Sequence, residues 1–202
     1  MITLFCKTHK IKYKQGMNEL ISLFLCQSAD DVDHYRIYNW FTRFMHLFVP
    51  TFYNDADFLS LQWSLGMFSL LLKYHDPEVA LYLRRCKISW DIYAFSWFIT
   101  LFASKLPLEL EYKLLDFYVQ EADCLMIFYV ATAFMMFHRN EILATEEFML
   151  PQTMANLTLN KVQDICRIFA RALELKQTTP TSFNYFIISE KILSPSVQSD
   201  DL

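Results

Sequence analysis

Gln15 and Gly16 sit where the chain changes character, and they carry the clearest chance of chemistry. Before them, Lys10, Lys12 and Lys14 alternate with Ile11 and Tyr13, a period of two that suits an extended or loop segment. After them, Met17, Leu20, Ile21, Phe24 and Leu25 recur at helical spacing. The pair therefore marks a loop-to-helix junction, where free backbone N–H groups and the positive end of the helix dipole favour anionic groups. A glycine there permits a positive φ or a close backbone approach. A glutamine can offer a donor and an acceptor together. Two readings stand at this point: Gln15 serves a neighbouring backbone group, or it serves something outside the chain.

Other chemical groupings are weaker. Asp30, Asp31, Asp33 and His34 suggest a metal site, but acids at a helix start are explained by the dipole. His75 and Asp76 are adjacent, which rarely lets both side chains act on one group, and no nucleophile is placed to use them. Asp76-Pro77 reads instead as an N-cap with proline in the first turn. Five scattered cysteines form no C-x-x-C pair and read as buried free thiols in a reducing compartment, with no metal site.

The elements that position these residues are helical. Helices are expected over residues 1–9, from Gly16 to the polar break at Ser28–Asp33, and over Asp33–Phe48 with Ile37, Trp40, Phe41, Phe44 and Phe48 inward. A loop at Asn54–Asp57 precedes a helix through Leu72, and a short one follows through Arg84. Ser89–Phe102 follows as an aromatic helix bearing Trp90, Tyr93, Ala94, Trp97, Phe98, Leu101 and Phe102. Pro107 begins the next, and Asp123 caps an apolar run that ends at Phe137. Thr145–Asn156 reads as a looser polar stretch. Asn160–Leu175 is amphipathic with Val162, Ile165, Cys166, Phe169 and Leu173 on one face. The expectation is an all-α fold of eight or nine helices occupying residues 1–185, with a mobile polar tail over 186–202. Trp40, Phe44, Trp97, Phe98, Leu101, Phe128 and Phe134 are expected in the core.

Composition narrows the function classes. With 202 residues, 54% of them hydrophobic, the chain can bury a large core. Two glycines are too few for sheet-rich or phosphate-loop architectures, and no cofactor is called for. A net charge of −4 offers no basic field to nucleic acid. The longest apolar run, Cys124–Phe137, is shorter than a bilayer span requires. The opening residues lack the basic flank and apolar core of a signal peptide, which points to the cytoplasm.

Tyr13-Lys14-Gln15-Gly16-Met17-Asn18 resembles the Tyr-x-Gln-Gly-Met-Asn motif of TBC domains, helical modules that activate GTP hydrolysis by Rab proteins. Further pieces occur in the same order as in that family: His75-Asp76-Pro77-Glu78, Ile88 through Trp97 to Leu101-Phe102-Ala103, and Leu106-Pro107-Leu108 followed by Leu115-Asp116. Together they cover roughly residues 10–145. The resemblance implies that Gln15 is a glutamine finger aligning water on a GTP-bound Rab, with Tyr13, Gly16, Met17 and Asn18 around it at the partner interface. The family's second finger, in Ile-x-x-Asp-x-x-Arg, lies upstream of this motif, and no arginine precedes Tyr13. An arginine finger is worth about 10³–10⁵ in rate. The resemblance therefore implies a TBC domain lacking its amino-terminal part and catalytically incomplete. The alternative is a non-catalytic adaptor: residues 2–13, 156–164 and 179–183 resemble a branch regarded as tethering endosome-derived vesicles at the Golgi after losing both fingers. Gln15-Gly16 departs from that branch. Either reading places the protein in the cytoplasm against Golgi or endosomal membranes, with tethering proteins as further partners. Lys7, Lys10, Lys12 and Lys14 read as a solvated flank or as a patch meeting acids on the GTPase.

Overall fold

A computed structural model describes residues 1–27, 33–48 and 58–189. Among these the chain is all-α, with twelve α-helices, one 3₁₀ turn and no strand. Three helices precede the centre: α1 (Ile2–Thr8), α2 (Met17–Gln27) and α3 (His34–Phe48). Next come α4 (Leu59–His75), α5 (Pro77–Arg85), the 3₁₀ turn Trp90–Ile92, α6 (Ala94–Ile99) and α7 (Leu108–Glu121). The chain continues through α8 (Met126–Phe137), α9 (Arg139–Ala144), α10 (Leu150–Asn156), α11 (Val162–Thr178) and α12 (Thr181–Ser189).

The apolar run is buried on every side as α8, with each residue from Met126 to Met135 out of solvent. It packs against α4, α6, α9 and α11. Such a helix has no polar face, so it is stable only as the centre of a larger core. Trp97 of α6 anchors that centre: its ring stacks on Phe102 at 5.3 Å and meets Phe134 edge-on at 5.0 Å. Tyr129 ties α8 to α12 by donating its hydroxyl proton to Asn184 Oδ1 at 2.8 Å. On the other flank, α7 bridges α2 and α11, and Phe117 lies flat on Phe169 at 4.3 Å. No described helix is long and apolar enough to cross a membrane.

The helix count exceeds the expected eight or nine for identifiable reasons. The aromatic segment from Ser89 does not run to Phe102: it splits into the 3₁₀ turn and α6, and α6 ends at Ile99. The Leu101 N–H donates to Phe98 O and the Phe102 N–H to Trp97 O at 2.8 Å. That pair of bonds is a Schellman closure, with Leu101 left-handed at φ 50° and Phe102 stacked back on Trp97. The same closure ends α1 at Lys10 (φ 53°) and α5 at Lys87 (φ 54°), where Ile11 and Ile88 donate to Cys6 O and Leu83 O. Glycine usually takes that position; here no glycine signals the stop. The stretch read as loose after Thr145 holds α10, because Leu150 and Met154, four apart, bury completely and Pro151 sits in the first turn.

Several expected inward faces shift. Trp40 is 45% exposed, because the buried stripe of α3 runs through Ile37, Phe41, Phe44, Met45 and Phe48 and leaves Trp40 at its edge beside Arg36. Phe44, Trp97, Phe98, Leu101, Phe128 and Phe134 are buried as expected. On α11 the buried line is Ile165, Ile168, Ala172 and Leu175, while Cys166 faces out. Cys26 is exposed too, and Cys6, Cys86 and Cys124 are half-buried, so none of the five cysteines is the fully buried thiol expected. In α2, Leu23 is buried and Leu25 exposed.

Local caps follow the sequence. Asp76 Oδ1 accepts from the Val79 N–H at 3.2 Å, starting α5 with Pro77 in its first turn. Its other oxygen lies 3.1 Å from Arg139 Nε, within ion-pair distance though outside hydrogen-bond alignment, and Arg139 also pairs with Glu78. His75 turns elsewhere, to Thr179 Oγ1 at 2.8 Å, so His75 and Asp76 form no dyad. Asp123 departs from the expected cap: it accepts from the Leu125 N–H at 2.9 Å, but Leu125 is itself the N-cap of α8, so Asp123 braces the turn before the helix and does not cap it. Asp33 Oδ1 accepts from the Tyr35 N–H at 3.0 Å at the head of α3. Asp30, Asp31, the loop Asn54–Asp57 and the tail beyond residue 189 lie outside the described residues. Residues 186–189, placed in the tail by the sequence, belong to α12.

Candidate functional site

The junction forms as the residue pattern requires. Residues 11–14 carry no regular structure, Gly16 takes φ 103°, and α2 begins at Met17. That φ is open to glycine and strained for any residue with a Cβ. Gly16 and Met17 are buried, which fixes the start of α2 on the core, whereas Gln15 is exposed. The Met17 N–H donates to Lys14 O at 3.3 Å and the Leu20 N–H to Gly16 O at 3.2 Å. Both termini of the motif are clasped together: the Tyr13 hydroxyl donates to Asn18 Oδ1 at 3.0 Å. Tyr13 and Asn18 are themselves exposed, so the clasp closes over the outside of the turn. Gln15 thus projects from a short loop held at both ends.

Gln15 borders a groove of about 490 Å³. Lys14, Gln15, Gly16 and Glu19 form one wall, and Phe95, Ser96, Ile99, Thr100 and Ser104 form the other. The Lys14 ammonium lies 3.9 Å from the centre of the Phe58 ring, a cation–π contact that seats this lysine against the wall. The opposite wall is the Schellman closure of α6. There the Thr100 hydroxyl donates to Ser96 O at 2.7 Å, lies 3.0 Å from Ser104 Oγ, and accepts from the Ser104 N–H at 3.3 Å.

Electrostatics behind the junction are acidic. Glu111 of α7 is only 9% exposed, and its carboxyl is pushed up to about 7, chiefly by burial and further by the Glu19 carboxylate on α2. Among the lysines expected as a solvated flank, Lys7, Lys10 and Lys12 are exposed and Lys14 is half-buried. No group of three or more potential metal ligands occurs among the described residues.

The structure therefore gathers Tyr13, Gln15, Gly16, Met17 and Asn18 into one turn, with Met17 turned into the core and Gln15 outward. The second wall is absent from a reading of the motif alone. Thr100 and Ser104 lie four apart inside an aromatic run, and only the non-glycine Schellman turn brings them opposite Gln15.

Residues 2–143 match the Rab-GTPase-TBC domain, and the chain belongs to that family. It is 28% identical over 104 residues to the TBC domain-containing protein kinase-like protein of Homo sapiens, covering 52% of this chain and 11% of the relative. It is 27% identical over 152 residues to TBC1 domain family member 4 of Mus musculus, covering 72% of this chain and 11% of that protein. A match of the same identity and length joins it to TBC1 domain family member 1 of Bos taurus, with 72% and 13% covered. The chain thus spans between 11% and 13% of the length of these relatives.

Proposed function

We propose that this chain docks a GTP-bound Rab family GTPase on the face carrying Gln15, and that Gln15 is its glutamine finger. The observation that carries the reading is the geometry of the turn: an exposed carboxamide, held by a buried glycine at φ 103° and by the Tyr13–Asn18 clasp, beside an open groove. Hydrolysis of GTP needs a water in line with the γ-phosphate and positive charge for the transition state. A carboxamide orients water by donating and accepting at once, and a backbone already held in this turn presents it without the loop having to order on docking. In this role Gly16 and Met17 set the turn, while Tyr13 and Asn18 hold it and meet the GTPase at its rim.

Charge neutralisation is a separate requirement. No Ile-x-x-Asp-x-x-Arg occurs in these 202 residues, and Arg84, Arg85 and Arg139 lie in segments that do not match it. Arg139 is already engaged by Asp76 and Glu78. An arginine finger contributes roughly 4–7 kcal/mol of barrier lowering, which Gln15 does not replace. The chain by itself binds the GTPase and accelerates hydrolysis weakly.

A second reading is favoured by that missing motif and by the segments at residues 2–13, 156–164 and 179–183, which resemble TBC1 domain family member 23. It makes the domain a non-catalytic adaptor in vesicle traffic, cytoplasmic and peripheral to Golgi or endosomal membranes, binding a tethering protein. The deciding experiment measures both GTP hydrolysis and binding for a panel of GTP-loaded Rab proteins. Binding that prefers GTP over GDP supports the GTPase reading. Binding of no Rab, with capture of a purified Golgi tether, supports the adaptor.

A further inference from the structure

A second pocket, of about 400 Å³, opens between α4, α5 and the 3₁₀ turn and shares no lining residue with the groove beside Gln15. Its floor is apolar, made by Leu72, Leu83, Ile88 and the half-buried Trp90. Three cations stand around it: Lys73 near the end of α4, Arg84 near the end of α5, and Lys87 in the turn that closes α5. All three are exposed, and no carboxylate among the described residues pairs with them. Neither Asp76, three residues after Lys73, nor Asp91, four after Lys87, lines the pocket.

Two features set this grouping apart from scattered surface lysines. The protein as a whole is acidic, at −4, so an unpaired cationic cluster runs against its average. Lys87 also holds a left-handed backbone at φ 54°, where glycine would be less strained, and the bond from Ile88 N–H to Leu83 O locks that turn beside the pocket. The cations come from three separate places on the rim, and the apolar floor lies between them. A compact phosphate would engage the rim and leave the floor wet. An apolar side chain flanked by carboxylates satisfies both, and complementary charge would also steer its approach.

We propose that this pocket binds an acidic peptide segment of a partner protein, with one large apolar side chain on the Ile88–Trp90 floor and flanking carboxylates against Lys73, Arg84 and Lys87. The proposal does not depend on the GTPase reading of Gln15.

The test titrates the 202-residue chain into a fluorescein-labelled peptide, acetyl-Asp-Glu-Glu-Phe-Asp-Glu-amide, and follows anisotropy at low and moderate salt. Replacing the Phe of the peptide by Ser should weaken binding by about tenfold or more, since a buried aromatic contributes at least that much. The double variant Arg84→Glu/Lys87→Glu should also lose about tenfold, with a smaller loss for Lys73→Ala and a weaker complex at higher salt. Arg167→Glu, on α11 and 75% exposed, should change nothing. All four positions are exposed, and circular dichroism checks that each variant melts like the parent. No binding, equal binding of the Ser peptide, or indifference to the charge reversals overturns the proposal. Saturation by inositol hexakisphosphate, lost on reversal, with no peptide binding would assign the pocket to phosphates instead.

Discussion

Replacing Glu111 by glutamine should stabilise the protein at neutral pH and do nothing in acid. Glu111 is 9% exposed, and its carboxyl rises from its ordinary 4.5 to about 7, with burial the larger cause and Glu19 the smaller. A carboxyl whose folded value is raised binds its proton more tightly in the folded state. Its contribution is therefore most favourable below about 4.5 and is lost as pH rises towards 7. Solvent screens part of this, so the full shift sets an upper bound. At 1.36 kcal/mol per unit, the raised carboxyl costs at most about 2 kcal/mol at pH 6, through proton uptake on folding, and at most about 3 kcal/mol at pH 8, where it is ionised. Glutamine has nearly the same shape and does not ionise. Urea unfolding of wild type and Glu111→Gln from pH 4.5 to 8 should give curves that coincide in acid and separate by up to that amount above neutrality. Glu19→Gln should close only part of the gap, since burial remains. A difference that stays constant with pH would refute the reasoning, whatever its size.

Three further outcomes follow from local geometry. Asp76→Ala removes the acceptor of the Val79 N–H and one partner of Arg139, and should cost about 1–2 kcal/mol in a thermal melt. Asp76→Asn keeps the cap and should cost less than about 1 kcal/mol. Lys10→Gly relieves a left-handed, exposed residue at the end of α1 and should raise stability by about 0.5–1 kcal/mol, measured in the same way.

The parts legible in the sequence were those where local chemistry and tertiary packing agree. Gly16 was legible because a period-two segment gives way to a helical one at a single glycine, and the structure places φ 103° there. The Asp76-Pro77 cap was legible because both residues suit the first turn of a helix, and α8 because its apolar run has no polar face to expose. Helix ends were not legible where Lys10, Lys87 and Leu101 close Schellman turns without glycine. The energy that holds those residues left-handed comes from packing of Ile11, Ile88 and Phe102, which is a tertiary fact. Trp40 departs from its expected place in the core for a related reason: it lies at the edge of the α3 stripe, and only the placement of α2 and α7 decides whether an edge is covered. The groove beside Gln15 combines both cases. One wall is a motif, and the other is assembled by an α6 terminus that no local signal marks.

The central claim is that Gln15 acts on the attacking water and leaves docking to other contacts. Single-turnover GTP hydrolysis and equilibrium binding should be measured with Gln15→Ala and wild type, both in this chain and in one that also carries an Ile-x-x-Asp-x-x-Arg segment ahead of it. With the arginine present, the substitution should lower the stimulated rate by on the order of 10² while leaving Rab affinity nearly unchanged. In the 202-residue chain it should change almost nothing, because little catalysis is there to lose. Equal hydrolysis by wild type and Gln15→Ala in the arginine-bearing chain would contradict the claim and leave Gln15 a structural residue of the turn.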